Sequence, residues 1–166
     1  MKKSYCAIDF ETGCYESASA CAVGAARIRK GVVSEKFYSL IKPPAEMPIL
    51  PRFTSLHGID MEEVSEAPTF AELWPELSDF IGSDILLAHN APFDKGVLQS
   101  VLEFYGLDYH AYTFECTVRL SRNRWPHLQN HKLNTLCQHL GIELNHHEAL
   151  SDAMACAQIF LEAARV

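Results

Sequence analysis

The spacing of apolar and polar positions changes period twice along the chain. From Ser4 to Phe10 the chain is compact and apolar, from Ala18 to Ile28 it is small and apolar around Gly24, and from Val32 to Ile41 it alternates, across Lys30-Gly31, as a hairpin partner would. Three consecutive strands predict an antiparallel meander. Pro43, Pro44, Pro48 and Pro51 then break the pattern, and Thr54 to Val64 reads as short helical turns around His57-Gly58.

From Thr69 the period becomes helical, with Phe70, Leu73, Leu77, Phe80 and Ile81 on one stripe. An apolar strand, Ile85 to Ala88, precedes a helix from about Pro92 to Tyr105, and this helix–strand–helix order predicts that the sheet has turned parallel. Tyr112 to Thr117 adds a further strand, Leu133 to Leu140 a short helix and Ala149 to Ala164 a terminal helix. The sum is an α/β domain with a mixed central sheet. No repeat or interdomain linker interrupts it, so residues 1–166 read as one domain.

Composition narrows the function classes. With 48% hydrophobic and 21% charged residues and no low-complexity stretch, collagenous, coiled-coil and disordered readings are excluded. No apolar run approaches the roughly 20 residues that span a bilayer. Met1-Lys2-Lys3-Ser4 leads into a short apolar segment interrupted at once by Asp9 and Glu11, so neither a membrane association nor a leader peptide is expected. The six cysteines form no Cys-x-x-Cys pair, which suits the reduced, mostly buried thiols of a cytoplasmic protein. A net charge of −7 argues against coating nucleic acid or anionic lipid by bulk electrostatics. It leaves open an enzyme whose carboxylates converge on a metal site while a small basic patch holds a phosphate chain.

Three carboxylate motifs stand out. Asp9 and Glu11, at i and i+2 near the end of an apolar strand, project from one face, where a divalent cation would turn their repulsion into coordination. In His89-Asn90-Ala91-Pro92-Phe93-Asp94, Asp94 falls in the first turn of a helix that follows a strand, the kind of junction where α/β sheets present ligand sites. In His146-His147-Glu148-Ala149-Leu150-Ser151-Asp152-Ala153, His147 and Asp152 are five apart, a turn of about 500° on a helix. His147 is therefore expected in the loop before the helix, with Asp152 in its early turns beside the stripe Ala149, Ala153, Cys156 and Phe160. Each motif alone has a plainer account, as a solvated strand end or as an Asp that complements a helix dipole.

Taken together, these motifs resemble the histidine-bearing branch of the DEDD superfamily of 3′–5′ exonucleases, which includes polymerase proofreading domains, ribonuclease T and oligoribonuclease. The resemblance runs from Ile8-Asp9-Phe10-Glu11-Thr12-Gly13 through Leu56-His57-Gly58-Ile59 and the His89 to Asp94 segment to His147 through Ala153. It implies a ribonuclease H-like fold, a mixed central sheet flanked by helices. Carried over by position, it implies Asp9, Glu11, Asp94 and Asp152 as catalytic metal ligands for two divalent cations, Mg²⁺ or Mn²⁺, and His147 as general base. In the family pattern Asp9 bridges the two metals, Glu11 and Asp152 complete the first shell and Asp94 supports the second. Phe10, Thr12, His57 and Phe93 are implied substrate contacts, with core packing the competing role for both phenylalanines, and His89 has a supporting place near the site.

The implied activity is release of nucleoside 5′-monophosphates from the 3′ end of a nucleic acid, DNA favoured over RNA. An exoribonuclease and a non-catalytic adaptor of the same fold remain as alternatives. The 14 residues after Asp152 are too few for the extended tail by which the proofreading subunit docks its partner, so a polymerase or repair partner would have to meet the domain's surface. One further segment is distinctive. Arg119 to Lys132 holds Arg119, Arg122, Arg124, Lys132 and Trp125 with no acidic residue, and is expected either to track a phosphate chain with Trp125 stacked on a base or to be a solvated helix face with Trp125 in the core.

Overall fold

The computed structural model describes residues 3–165; Met1 and Lys2 of the amino-terminal segment, and Val166, lie outside the described residues. The first three strands form the expected meander, β1 (Tyr5–Thr12), β2 (Ala20–Arg29) and β3 (Val32–Leu40), paired antiparallel. The chain then crosses the sheet. Strand β4 (Ile85–Ala88) pairs parallel to β1, and β5 (Phe114–Cys116) parallel to β4, giving the mixed order β3-β2-β1-β4-β5. Helices α1 (Pro51–His57), α2 (Phe70–Ile81), α3 (Ala91–Phe104), α4 (Thr117–Arg124), α5 (Leu133–Leu140) and α6 (Ala149–Ala164) surround it.

Local chemistry accounts for most boundaries. Helix α1 starts with Pro51 in its first turn and ends at Gly58, whose φ of 80° is open to glycine at little cost. Helix α2 starts with a capping box, the Thr69 side chain accepting from the Glu72 amide and the Glu72 carboxylate from the Thr69 amide. Helix α4 follows one of the two readings of the basic segment, the solvated helix face. Of its residues only Thr117 and Ser121 are buried, so there is no apolar stripe from which its period could be read.

Two faces of the sheet are covered differently. On one, Ile8, Phe10, Val23, Leu86 and Ala88 pack against the large side chains of α2 and α3, among them Phe70, Leu77, Ile81, Leu98 and Leu102. On the other, the contacts are small: Ala7 and Ala26 meet Cys156 and Ala157, and Ala22 meets Ala149. Leu133 and Leu136 of helix α5, with the half-buried Trp125, pack on the far side of α6, against Ala155 and Ile159. Trp125 is thus part of a core, which removes it as a base-stacking residue.

Strand β1 outruns its parallel neighbour. Its pairing with β4 stops at Ala7, whereas its pairing with β2 continues through Asp9↔Gly24, Glu11↔Ala22 and Thr12↔Ala20. The last four residues of β1 therefore project beyond the end of β4, where α3 begins.

Gly24 fixes how closely α6 lies on the sheet. A Cβ at this position would stand 2.4 Å from the carbonyl carbon and oxygen of Ala149 and from the Leu150 nitrogen, all backbone atoms at the start of α6. The substitution Gly24→Ala should destabilise the domain by at least about 3 kcal/mol, the upper part of the overpacking range, because no flexible side chain can move aside. Urea unfolding followed by circular dichroism measures this, and a loss below about 1 kcal/mol would mean that α6 can lift freely.

Candidate active site

The projecting end of β1 supplies the first two carboxylates. Asp9 and Glu11 share a face of the strand, and Asp152, in the first turn of α6, meets them from the side. Oxygens of Asp9, Glu11 and Asp152 all lie within 4.8 Å of one another. Asp94, in the first turn of α3, is 1% exposed, and its Oδ1 accepts the Phe10 amide at 2.9 Å. That amide lies where β1 has run past β4, so the carboxylate takes the place of a missing ladder partner.

Four carboxylates this close disfavour their own ionisation. Burial first, then the charges of Asp94, Asp152 and Glu11, push the Asp9 carboxyl well above the usual carboxylate range. Glu11 is pushed up to about 8 by burial, then by Asp152 and Asp94. Asp94 and Asp152 are raised as well, each mainly by burial. No lysine or arginine pairs with any of the four among the described residues. The buried Oδ2 of Asp9 has no hydrogen-bond partner at all. An all-oxygen donor set with an orphaned buried oxygen is what a hard divalent cation fits, so Asp9, Glu11 and Asp152 could hold one, with Asp94 beside Asp9.

The loop before α6 carries two histidines. His147 has a φ of 66°, the left-handed region, and its amide donates to Asp152 Oδ2 at 3.2 Å. Its ring stacks on His146 with centroids 3.8 Å apart, and burial lowers its pKa, keeping the imidazole neutral near pH 7. The sequence passed over His146 as a site residue, yet its Nδ1 lies 3.0 Å from Asp152 Oδ2 and holds that carboxylate in orientation. The repeated histidine was the only sign of it.

These groups line a cleft of about 920 Å³. Phe93 is 48% exposed there, so its ring is free to meet a ligand. Phe10 is different: its ring is 2% exposed and packs against Phe70, so it has no face to offer, and its amide serves Asp94 instead. Thr12 is buried, and its carbonyl accepts His57 Nε2–H at 2.9 Å, while His57 Nδ1 accepts the Ile59 amide. His57 thus lines the cleft with both nitrogens committed. His89 is likewise committed, Nε2 donating to the His131 carbonyl at 2.9 Å and Nδ1 taking the Thr117 hydroxyl at 2.8 Å. Burial lowers its pKa to about 4. It ties the end of β4 to α4 and to the loop before α5.

The exonuclease family model RNase T matches residues 6–160. The chain belongs to this exonuclease family. Among its relatives, the PolC-type DNA polymerase III of Clostridium perfringens (strain 13 / Type A) is 34% identical over 158 residues, 93% of this chain and 11% of that protein. The PolC-type enzyme of Oceanobacillus iheyensis is 38% identical over 136 residues, 80% of this chain and 9% of that protein. The chain spans about a tenth of the length of these relatives.

Solved structures share the fold. Exonuclease X in complex with 5′ overhanging duplex DNA superposes with a TM-score of 0.78 at 23% identity, covering 96% of this chain and 90% of that one. The nuclease domain of 3′hExo, a DEDDh family member bound to rAMP, gives 0.83 at 19% identity with coverage of 96% and 90%. The mixed five-stranded sheet with flanking helices is therefore ribonuclease H-like, and the family match makes it an exonuclease domain.

Without metal, the carboxylate cluster should oppose folding as it ionises. Glu11 titrates near 8 in the folded chain against 4.5 unfolded, so its contribution is fully present below about pH 4.5 and lost as pH rises through 8. In EDTA the melting temperature should fall between about pH 6.5 and pH 8.5, a window bounded by the ordinary histidine and thiol values. Glu11→Gln should flatten this fall. A wild type whose melting temperature is level across the window would contradict it.

Proposed function

We propose that this domain hydrolyses the terminal phosphodiester at the 3′ end of DNA, from a single strand or a frayed duplex end, releasing nucleoside 5′-monophosphates. The observation that carries the proposal is the convergence of Asp9, Glu11 and Asp152 on a cleft that His147 also lines, with Asp94 buried at the Phe10 amide and no lysine or arginine pairing with any of the four among the described residues. DNA is favoured because relatives 34% and 38% identical are named as DNA polymerases. Six free thiols accord with a cytoplasmic site of action, and no helix among the described residues is long and apolar enough to cross a membrane.

In this reading Asp9, Glu11 and Asp152 would hold one divalent cation, Mg²⁺ or Mn²⁺, and Asp9 with Asp94 would hold a second. Bound divalent cations supply charge neutralisation for the phosphodiester and a lowered pKa for water. The protein's own groups do the rest. His147, neutral at pH 7, accepts the proton of the attacking water at a ring nitrogen. Its left-handed backbone and its amide bond to Asp152 hold the ring over the carboxylates, with His146 stacked behind it. Phe93 stacks on the terminal base, and His57 and Thr12 shape the floor beneath the terminal sugar.

Matched single-stranded DNA and RNA oligonucleotides, labelled at the 3′ or 5′ end, test this with Mg²⁺, Mn²⁺ or EDTA. Mononucleotides should be released from the 3′ end of DNA in either metal and not in EDTA. Asp9→Ala should abolish release, and His147→Ala should slow it by about 10²–10⁴-fold, the usual contribution of a general base. Faster release from RNA would reassign the substrate. No release from either by a folded, metal-supplied wild type would favour an adaptor.

A further inference from the structure

The basic segment between Arg119 and Lys132 divides in the folded chain. Arg122 on α4 and Lys132 just before α5 line the active-site cleft, with Asn130 and Asn134 between and beside them. Arg119 lies in a separate groove along β5, and Arg124 donates to the Arg165 carbonyl at 3.2 Å. Arg122 and Lys132 are exposed, and among the described residues neither has a carboxylate within ion-pair distance. No acidic residue occurs between Glu115 and Glu143. In a chain of net charge −7, two unpaired cations share a cleft with the carboxylates of Asp9, Glu11 and Asp152 and stay clear of them.

The other side of the cleft has the opposite chemistry. Phe53 and Leu56 of α1 and Phe93 of α3 line it, and Leu56 and Phe93 are 53% and 48% exposed. Helix α1 is tied to the end of β1 through His57 and Thr12, whereas the Arg122–Lys132 side is tied to the end of β4 through His89, Thr117 and the His131 carbonyl. Because β1 and β4 are neighbours, the carboxylates lie between an apolar wall and a cationic, amide-bearing wall.

A single nucleic-acid strand has the same division along its length, apolar base faces on one side and phosphodiesters on the other. We infer that Arg122 and Lys132, assisted by Asn130 and Asn134, form a subsite for the phosphodiesters on the 5′ side of the scissile linkage. The strand then enters with its bases toward α1 and its backbone along the connection between α4 and α5. This inference rests on the nuclease reading above and adds to it the side chains that hold the strand beyond the cut, so that the site rewards at least one linkage past the one cleaved.

Steady-state kinetics on 5′-labelled oligodeoxynucleotides of two, three and eight residues, at about 50 and about 200 mM salt, test it. The variants are Arg122→Gln, Lys132→Gln, the pair together, and Arg124→Gln as a basic residue outside the cleft. On the eight-residue strand the paired variant should lose about 10- to 100-fold in kcat/KM, chiefly through KM, and its log–log salt slope should flatten by about 1.4, the value for two phosphate contacts on a single strand. The loss should shrink as the substrate shortens. A neutral methylphosphonate at the linkage next to the scissile one should weaken the wild type and add little to the paired variant. Wild-type KM and salt slope in a folded paired variant, or an equal effect of Arg124→Gln, would overturn the subsite. Should the wild type cleave no substrate, the nuclease reading fails, and fluorescence anisotropy of the labelled eight-residue strand in Ca²⁺ decides the subsite separately. Weaker, less salt-dependent binding by the paired variant would uphold it, and unchanged binding would dismiss it.

Discussion

Backbone lies directly against backbone where β2 passes under the start of α6, and the geometry of the site follows from that contact. Gly24 leaves room for the Ala149 carbonyl, and the alanines around it keep the rest of the helix equally low on the sheet. Asp152 stands three residues into that helix, so the separation of helix and sheet is also the separation of Asp152 from Asp9 and Glu11. Larger side chains at these positions would bury more apolar surface and draw the carboxylates apart. The small residues are a concession of packing to chemistry.

The site works against the fold that carries it. Desolvated carboxylates with no lysine or arginine partner among the described residues resist ionisation, and the left-handed His147 adds backbone strain at the same place. Cohesion comes from the opposite face of the sheet, where Phe70, Leu77, Ile81, Leu98 and Leu102 form a core of large side chains. The division is spatial: the α2 and α3 face stabilises, and the end of β1 stores the unfavourable electrostatics that a cation relieves.

Sequence periodicity found the strands and most helices because the apolar stripes of β1, α2, α3 and α6 are continuous. It offered α4 only as one of two readings, because the residues RLSRNR have no such stripe. The three carboxylate motifs were readable because their spacing is local. What was not readable depended on contacts distant in the chain: the Asp94 bond to the Phe10 amide spans 84 residues, and the ring of Phe10 turns inward because odd and even positions of β1 face different layers. His146 escaped notice because a pair of adjacent histidines says nothing about which of them will meet Asp152.

His57 and His89 occupy comparable posts on either side of the carboxylates. Each commits both ring nitrogens to the chain itself, one anchoring α1 to β1 and the other anchoring the α4 to α5 connection to β4. Neither has a ring nitrogen left over for a ligand. The two flanks are thereby fastened separately: a change of length or charge in one would leave the other flank's histidine tie to the sheet in place.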